Sequence, residues 1–274
     1  YLYILYWKNI QQTKIMEERN STLEDIIDGT TISNGDFVLI TGNITKLLRK
    51  LKKDDKKFNL NIFIDKVLEK LGVNGTLAIQ TFNWDFCDGK GYDINNSNSQ
   101  TGSLGSAALK RDDFIRTKHP IYSFAVTGKY KNELELLNNK SAFGFGSPFD
   151  FMYKHKAKMI IFDLPLQNSF TFVHYVEEVN KVNYRYNKSF RSQYIDRNGF
   201  SSIMEYDMYV REIENNVLTS IEPLENIFID GKAMKGNEVD NIKIKIIDFH
   251  ISYRLIERDI KYNNAKSLYK IGRN

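Results

Sequence analysis

Apolar residues follow two rhythms along this chain. Short unbroken runs occur at Asp36 to Thr41 (DFVLIT), Thr76 to Thr81 (TLAIQT) and Lys158 to Leu164 (KMIIFDL), the first preceded by an Asn34-Gly35 turn. Runs of this length, bounded by turn formers, predict buried strands. Between the first two lies Asn59 to Leu71 (NLNIFIDKVLEKL), whose apolar residues recur at helical spacing. Gly72 stops that helix, and Asn74-Gly75 turns the chain into the next strand. Strand, helix and strand in succession predict an α/β core. Ser21 followed by Glu24 has the pattern of a capping box and predicts a short helix. Leu104 to Arg116 and Phe170 to Val179 read as helices, and Tyr122 to Gly128 as a strand. From Asn183 onward, the alternation at Tyr184 and Tyr186 and the later run Ile242 to Ile247 predict strands returning to the sheet. Residues 85–103 are rich in Asn, Gly, Asp and Ser and read as a long loop, a kind of segment that is often functional. No internal repeat and no sharp compositional break is visible. The expected organisation is a lead-in over residues 1–34 and one α/β domain over residues 35–274.

Composition narrows the function classes. The 274 residues suffice for a sizeable core, and 42% hydrophobic with 27% charged residues is ordinary for a soluble globular chain. A net charge of +5 is too mild and too dispersed for a nucleic-acid partner. The densest basic run, Lys46 to Lys57 (KLLRKLKKDDKK), itself contains two aspartates. Mild positive charge favours small anionic ligands. No segment approaches the roughly 18 apolar residues of a membrane span. The opening YLYILYW is short and lacks the features of a signal peptide, so no membrane partner is expected. The first residue is tyrosine rather than methionine, which leaves the native start open. One cysteine, Cys87, excludes an intramolecular disulfide framework and a multi-cysteine zinc site, and a reducing, cytoplasmic setting is expected.

Chemistry-bearing residues are few. His174 and Glu177 lie three apart in a predicted helix and so share a face. Taken by spacing alone, His174 is an ordinary packed histidine with an acidic neighbour. The spacing fits neither H-E-x-x-H nor H-x-x-E-H, so no metal is expected. Cys87 has no histidine near it in sequence and is read as structural. Thr101-Gly102-Ser103 before a predicted helix, and Thr41-Gly42-Asn43 after the first strand with Lys46 nearby, are candidate contacts for phosphate or carbonyl oxygen. The plainer reading of Ser103 is a helix N-cap. Trp84 is a candidate for sugar stacking and Asp85 for a hydroxyl or ammonium, with core packing the plainer reading of the aromatic row Phe82, Trp84 and Phe86.

Five pieces occur in order: Gly75-Thr76-Leu77 leading to Gln80-Thr81-Phe82-Asn83-Trp84; Thr101-Gly102-Ser103-Leu104-Gly105; Arg116-Thr117-Lys118-His119-Pro120-Ile121-Tyr122-Ser123; Phe143-Gly144-Phe145-Gly146-Ser147-Pro148; and Thr171-Phe172-Val173-His174-Tyr175-Val176-Glu177. Together, over residues 35–200, they resemble the aminoglycoside 3-N-acetyltransferase (antibiotic N-acetyltransferase) family. The resemblance implies a single domain with a central mixed sheet flanked by helices, acetyl-CoA as acyl donor and a sugar amine as acceptor. It implies His174 as catalytic base with Glu177 as its acid, and substrate or cofactor contacts at Thr171, His119 and Ser123. It also implies a homodimer. One departure stands out. Antibiotic-modifying members usually carry an acid at the start of the run before the histidine, where this chain has Asn168. The form FTFVHYVEE followed by YRYNK looks closer to members that sit among surface-polysaccharide genes. With the net positive charge, this favours a nucleotide-linked amino sugar as acceptor. The alternatives are an aminoglycoside and, in third place, a non-catalytic relative that binds sugar or coenzyme.

Overall fold

The computed structural model describes residues 21–272. The apolar opening YLYILYW and most of the expected lead-in lie outside the described residues. In chain order the elements begin with helix α1 (Leu23–Gly29), strand β1 (Phe37–Gly42), helices α2 (Thr45–Asp54) and α3 (Leu60–Leu71), and strand β2 (Thr76–Gln80). There follow β3 (Tyr92–Asp93), α4 (Ser103–Ala108), β4 (Ile115–Arg116), β5 (Phe124–Gly128), α5 (Lys131–Leu136), α6 (Pro148–Lys154) and β6 (Lys158–Phe162). The last third holds α7 (Val173–Val179), β7 (Arg185–Ile195), β8 (Ser201–Arg211), β9 (Val217–Thr219), α8 (Leu224–Asp230), β10 (Met234–Val239), β11 (Ile242–Asp248), α9 (Phe249–Tyr262) and β12 (Tyr269–Ile271).

Seven strands form the main sheet in the order β10-β11-β6-β1-β2-β5-β4. Its centre is parallel, with β1 beside both β2 and β6, and its flanks are antiparallel, so the sheet is mixed as expected. The continuous apolar character of the central strands follows from burial on both faces. Val38 and Ile40 pack with Leu47, Leu51, Ile64 and Val67 of α2 and α3. Phe37 and Leu39, pointing the other way, pack with Phe149, Met152, Val176, Phe249 and Ile256 of α6, α7 and α9.

The arrangement of β1 locates a crevice. The chain leaves β1 through α2 and α3 to reach β2 on one side, and reaches β6 on the other side only much later. The strand order therefore reverses at the carboxyl end of β1, the place where open α/β sheets bind ligands. Gly42 stands there with φ +142°, and a Cβ on it would collide with the backbone of Phe162 at the end of β6. The two strand ends thus close on each other beside Thr41 and Asn43.

Several expectations are corrected. The capping box of α1 is Thr22 with Asp25, one position beyond Ser21 and Glu24. The described part of the lead-in, residues 21–34, packs onto the domain: Ile26, Ile27 and Ile32 are buried, and Asn237 donates to the Gly29 carbonyl at 3.1 Å. The basic run beginning at Lys46 forms amphipathic α2, with Leu47 and Leu51 buried. The helix expected over Leu104 to Arg116 ends at Ala108, where the Lys110 and Arg111 amides bond the Ala107 and Ala108 carbonyls in tight turns before β4 begins. Strands after Asn183 do not all rejoin the main sheet. β7 pairs with β8 as a long hairpin and with β3 in a separate three-stranded sheet, and it is β11 that rejoins. Most of β7 is exposed, which a central strand buried on both faces cannot be.

The polar loop after β2 is pinned from below. Arg116, 3% exposed, donates from Nε to Ser123 Oγ at 3.0 Å and from one terminal nitrogen to the Thr81 carbonyl at 2.7 Å. Its other terminal nitrogen bonds the Ser97 carbonyl, and the guanidinium lies over the Tyr92 ring. No helix among the described residues is long and apolar enough to cross a membrane.

Candidate active site

Helix α7 follows β6 and presents His174 and Glu177 one turn apart, next to the start of β7. His174 Nδ1 lies 2.6 Å from Glu177 Oε2. A carboxylate only accepts, so Nδ1 carries the proton and Nε2 keeps its lone pair. Among the described residues no protein group hydrogen-bonds to Nε2. The imidazole side chain is 19% exposed, whereas Glu177 is fully buried. A buried carboxylate is stable only if it is paired and hydrogen-bonded. Tyr184 donates its hydroxyl to Glu177 Oε1 at 2.9 Å, and Arg185 Nε sits 2.8 Å from Oε2. Arg185 is itself held by the Tyr209 carbonyl of β8 at 3.2 Å and Thr219 Oγ1 of β9 at 2.8 Å.

These contacts set the protonation states. Burial pushes the Glu177 carboxyl up, but Arg185, His174 and Tyr184 outweigh it and hold the group below its ordinary value. Burial pulls the imidazole of His174 down, and Arg185 pulls in the same direction; Glu177 opposes them and is outweighed. The result is a neutral imidazole at pH 7, oriented by an ionised carboxylate, which is what a general base requires.

An aromatic wall leads away from the imidazole. The Phe143 ring lies 5.2 Å from that of His174, Tyr122 lies 4.6 Å from Phe143, and Trp84 lies 6.3 Å from Tyr122. Trp84 is 38% exposed, so this chain of rings connects the solvent-facing loop to His174. The loop carrying Phe143 lies on α7. Ser141 Oγ donates to the Glu178 carboxylate, and a Cβ on Gly144 would come within 2.7 Å of that carboxylate. Glycine permits this close approach.

A second polar centre forms at the crevice beside β1. Thr41 Oγ1 donates to Gln80 Oε1 at 2.7 Å, and Thr101 Oγ1 donates to the Gln80 carbonyl at 2.8 Å. The two expected cofactor segments, Thr41-Gly42-Asn43 and Thr101-Gly102-Ser103, therefore meet at one residue. Asn43 accepts the Thr45 amide through Oδ1, and Lys46 is bound to Asp163 and the Asn241 carbonyl. Gly102, with φ +101°, is the N-cap of α4, which corrects the expectation of Ser103 in that place. Exposed Ser103 instead lines a depression of about 420 Å³ together with Lys52, Asn59, Ser106 and Lys110.

The other expected residues are placed as follows. Thr171 lies in the turn before α7, and its carbonyl accepts the His174 amide. Asp85 pairs with Lys90 at 3.2 Å. His119 and Ser123, expected as ligand contacts, are interior and engaged with the backbone around β5. His119 is 1% exposed and its Nδ1 accepts the amides of Ile121 and Tyr122, fixing the turn into β5. Ser123 is fully buried and donates to the Thr81 carbonyl. The Cys87 thiol is pushed up to about 11, chiefly by burial, and is no nucleophile at neutral pH. Arg185, Tyr122 and Phe143 escaped residue-level prediction. Arg185 is joined to Glu177 across a turn and a change of element, for which no periodic signal exists.

A family model described as aminoglycoside 3-N-acetyltransferase matches residues 54–258, well over half of the chain. The chain belongs to this family. The match contains His174, Glu177 and Arg185, and membership makes the protein an acyltransferase of the N-acetyltransferase type. Among solved structures, aminoglycoside acetyltransferase AAC(3)-Xa superposes with a TM-score of 0.70 at 16% identity, covering 91% of this chain and 98% of its own. AAC-IIIb, solved as a binary complex with CoASH, gives 0.73 at 12% identity, covering 89% and 97%. YokD from Bacillus subtilis gives 0.72 at 17% identity, covering 89% and 95%. At such identities the superpositions establish a shared fold. No match is found among curated protein sequences.

Two outcomes follow from the electrostatics. In Arg185→Met, the positive charge that disfavours the imidazolium is removed while Glu177 still favours it, so protonation of the imidazole becomes easier. The acid limb of kcat/KM should move to higher pH, and the value at pH 7 should fall by a factor of about 10 to 100. A pH profile that keeps its limb in place would refute the coupling. His119 gives a stability effect. Burial lowers its folded value to about 4, against 6.5 unperturbed. The unfolded chain therefore binds the proton first, and stability is lost as pH falls from 6.5 towards 4, by up to about 3 kcal/mol, with no contribution above that window. Denaturant titrations of His119→Asn across this range should show a shallower loss.

Proposed function

We propose that the protein transfers an acyl group, acetyl by default, from a coenzyme A thioester to the amine of a nucleotide-linked amino sugar in surface-polysaccharide assembly, with His174 as the base. The observation that carries the proposal is the neutral, carboxylate-oriented imidazole with its Nε2 unclaimed. Nε2 takes the proton from the acceptor nitrogen as that nitrogen attacks the thioester carbon. The tetrahedral intermediate then expels the coenzyme thiolate, which recovers the proton from the imidazolium. Glu177 stabilises the imidazolium, and Arg185 keeps Glu177 ionised throughout.

The crevice at Thr41-Gly42-Asn43 and the segment Thr101-Gly102-Ser103 suit the coenzyme, in line with the complex of AAC-IIIb with CoASH. Lys52 and Lys110 beside Ser103 provide positive charge for its phosphates. Trp84 offers a face for the sugar ring at the far end of the aromatic wall, and Asp85 a polar group beside it. The acceptor assignment is supported by the net charge of +5 and by Asn168, exposed on the turn before α7, in the position where antibiotic-modifying members carry an acid. An aminoglycoside acceptor is the second reading, favoured by the family description itself.

Thiol release from acetyl-CoA, followed with a panel of nucleotide amino sugars and aminoglycosides, tests both readings. Turnover with nucleotide amino sugars is expected, and turnover with aminoglycosides alone would overturn the acceptor. His174→Ala should lose a factor of about 10² to 10⁴ in rate while remaining folded. A folded His174→Ala protein with unchanged turnover would remove the base from the mechanism.

A further inference from the structure

The polar centre at Gln80 has a feature that the sheet does not explain. Gln80 closes β2 and is 6% exposed, yet its Nε2 makes no hydrogen bond, although the other end of the same amide is held by Thr41. A buried amide donor left unpaired costs on the order of 1–3 kcal/mol, so such groups in native proteins call for an explanation. Packing alone is a poor one. An apolar residue would fill the same space without the penalty, as Ile79 does one position earlier on the opposite face.

The location supplies a better account. Gln80 lies at the carboxyl end of β2, bonded to Thr41 at the carboxyl end of β1, where the strand order reverses. Its backbone carbonyl is occupied by Thr101, and Gly105 leaves no room for a Cβ against that same carbonyl. The backbone of Gln80 is therefore fixed from one side and its amide oriented from the other. A donor that is immobilised and unpaired is preorganised for an acceptor arriving from outside.

We infer that Gln80 is a binding residue for the acyl donor, its Nε2 donating to an amide carbonyl of the pantetheine arm, with Thr41 as the positioning residue that aims it. This rests on the proposed use of a coenzyme A thioester and adds a residue to it. The arm is chemically suited: it carries two amide carbonyls and no charge, and a neutral primary amide recognises a carbonyl without the desolvation cost of a lysine or arginine.

The inference is tested by calorimetric titration of coenzyme A into wild type, Gln80→Met and Gln80→Glu, with thermal melts of each in the absence and presence of coenzyme A. Gln80→Met fills the space without a donor, and Gln80→Glu keeps an acceptor there while removing the donors. Both should bind coenzyme A about five- to tenfold more weakly. Without coenzyme, Gln80→Met should melt close to wild type, because removing the unpaired amide offsets the acceptor that Thr41 loses, while its stabilisation by coenzyme shrinks. Affinity equal to wild type in folded Gln80→Met or Gln80→Glu would overturn the inference. So would a Gln80→Met protein that melts well below wild type without coenzyme yet gains as much from it, since the amide would then serve the fold alone. Failure of wild type itself to bind coenzyme A would instead refute the function on which the inference rests.

Discussion

The fully buried carboxylate of Glu177 is the constraint around which the surroundings of His174 are organised. A charge there is tolerable only with several partners, and no single element supplies them. His174 comes from the same helix, Tyr184 from the turn that follows, and Arg185 from the first position of β7. Arg185 is held in turn by β8 and β9, and Tyr184 stacks at 3.9 Å on Tyr269 of β12. The outer hairpin and the final short strand, remote from the core of the main sheet, thereby determine the protonation state of one imidazole. Loosening either would leave Glu177 short of a partner, and the nearest remedy would be a proton, on the carboxylate or on His174. Either outcome would undo the neutral imidazole held by an ionised carboxylate.

The main sheet makes a different contribution. Its parallel centre brings the ends of β1, β2 and β6 to one edge, and the chain reversal at β1 opens the crevice there. Trp84 follows directly from β2, Tyr122 directly precedes β5, and α7 follows β6. The aromatic wall from Trp84 to His174 therefore rises from the same edge as the Gln80 centre. Two preorganised regions, one polar with a spare donor and one aromatic with a spare lone pair, are placed by a single sheet edge. A thioester transfer needs such an arrangement, since the donor arm and the attacking amine approach the same carbon from different directions.

The parts legible in the sequence share a physical cause. β1, β2 and β6 are buried on both faces and so read as continuous apolar runs, and α3 has a clear stripe closed by Gly72. His174 and Glu177 were legible as a pair because one helical turn relates them. What was not legible depends on contacts between distant segments. β7 and β8 carry mostly exposed residues, so their alternation could not reveal which sheet they join. The helix expected to reach Arg116 gives way after Ala108 to tight backbone turns, a local change that periodicity does not register. His119 looked chemically interesting because a histidine precedes a proline near a serine. In the fold that combination makes a buried turn, with the ring serving backbone amides.

The separation between the relay and the loops bears on how an acceptor is chosen. Glu177, Arg185 and Tyr184 are buried, and their side-chain hydrogen bonds run to one another, to His174 and to β8 and β9, so they prepare His174 in the same way whatever amine arrives. The residues that face solvent near the base belong to other segments: Trp84 at 38% exposure, and Phe145 at 72% on the loop pressed against α7. That loop is tied to the helix through Ser141 and Glu178, and the Trp84 loop is tied to the sheet through Arg116. Both are rigidly mounted, yet their tips can vary without disturbing the charge balance at Glu177. Family membership accordingly constrains the chemistry at His174 far more than it constrains the sugar.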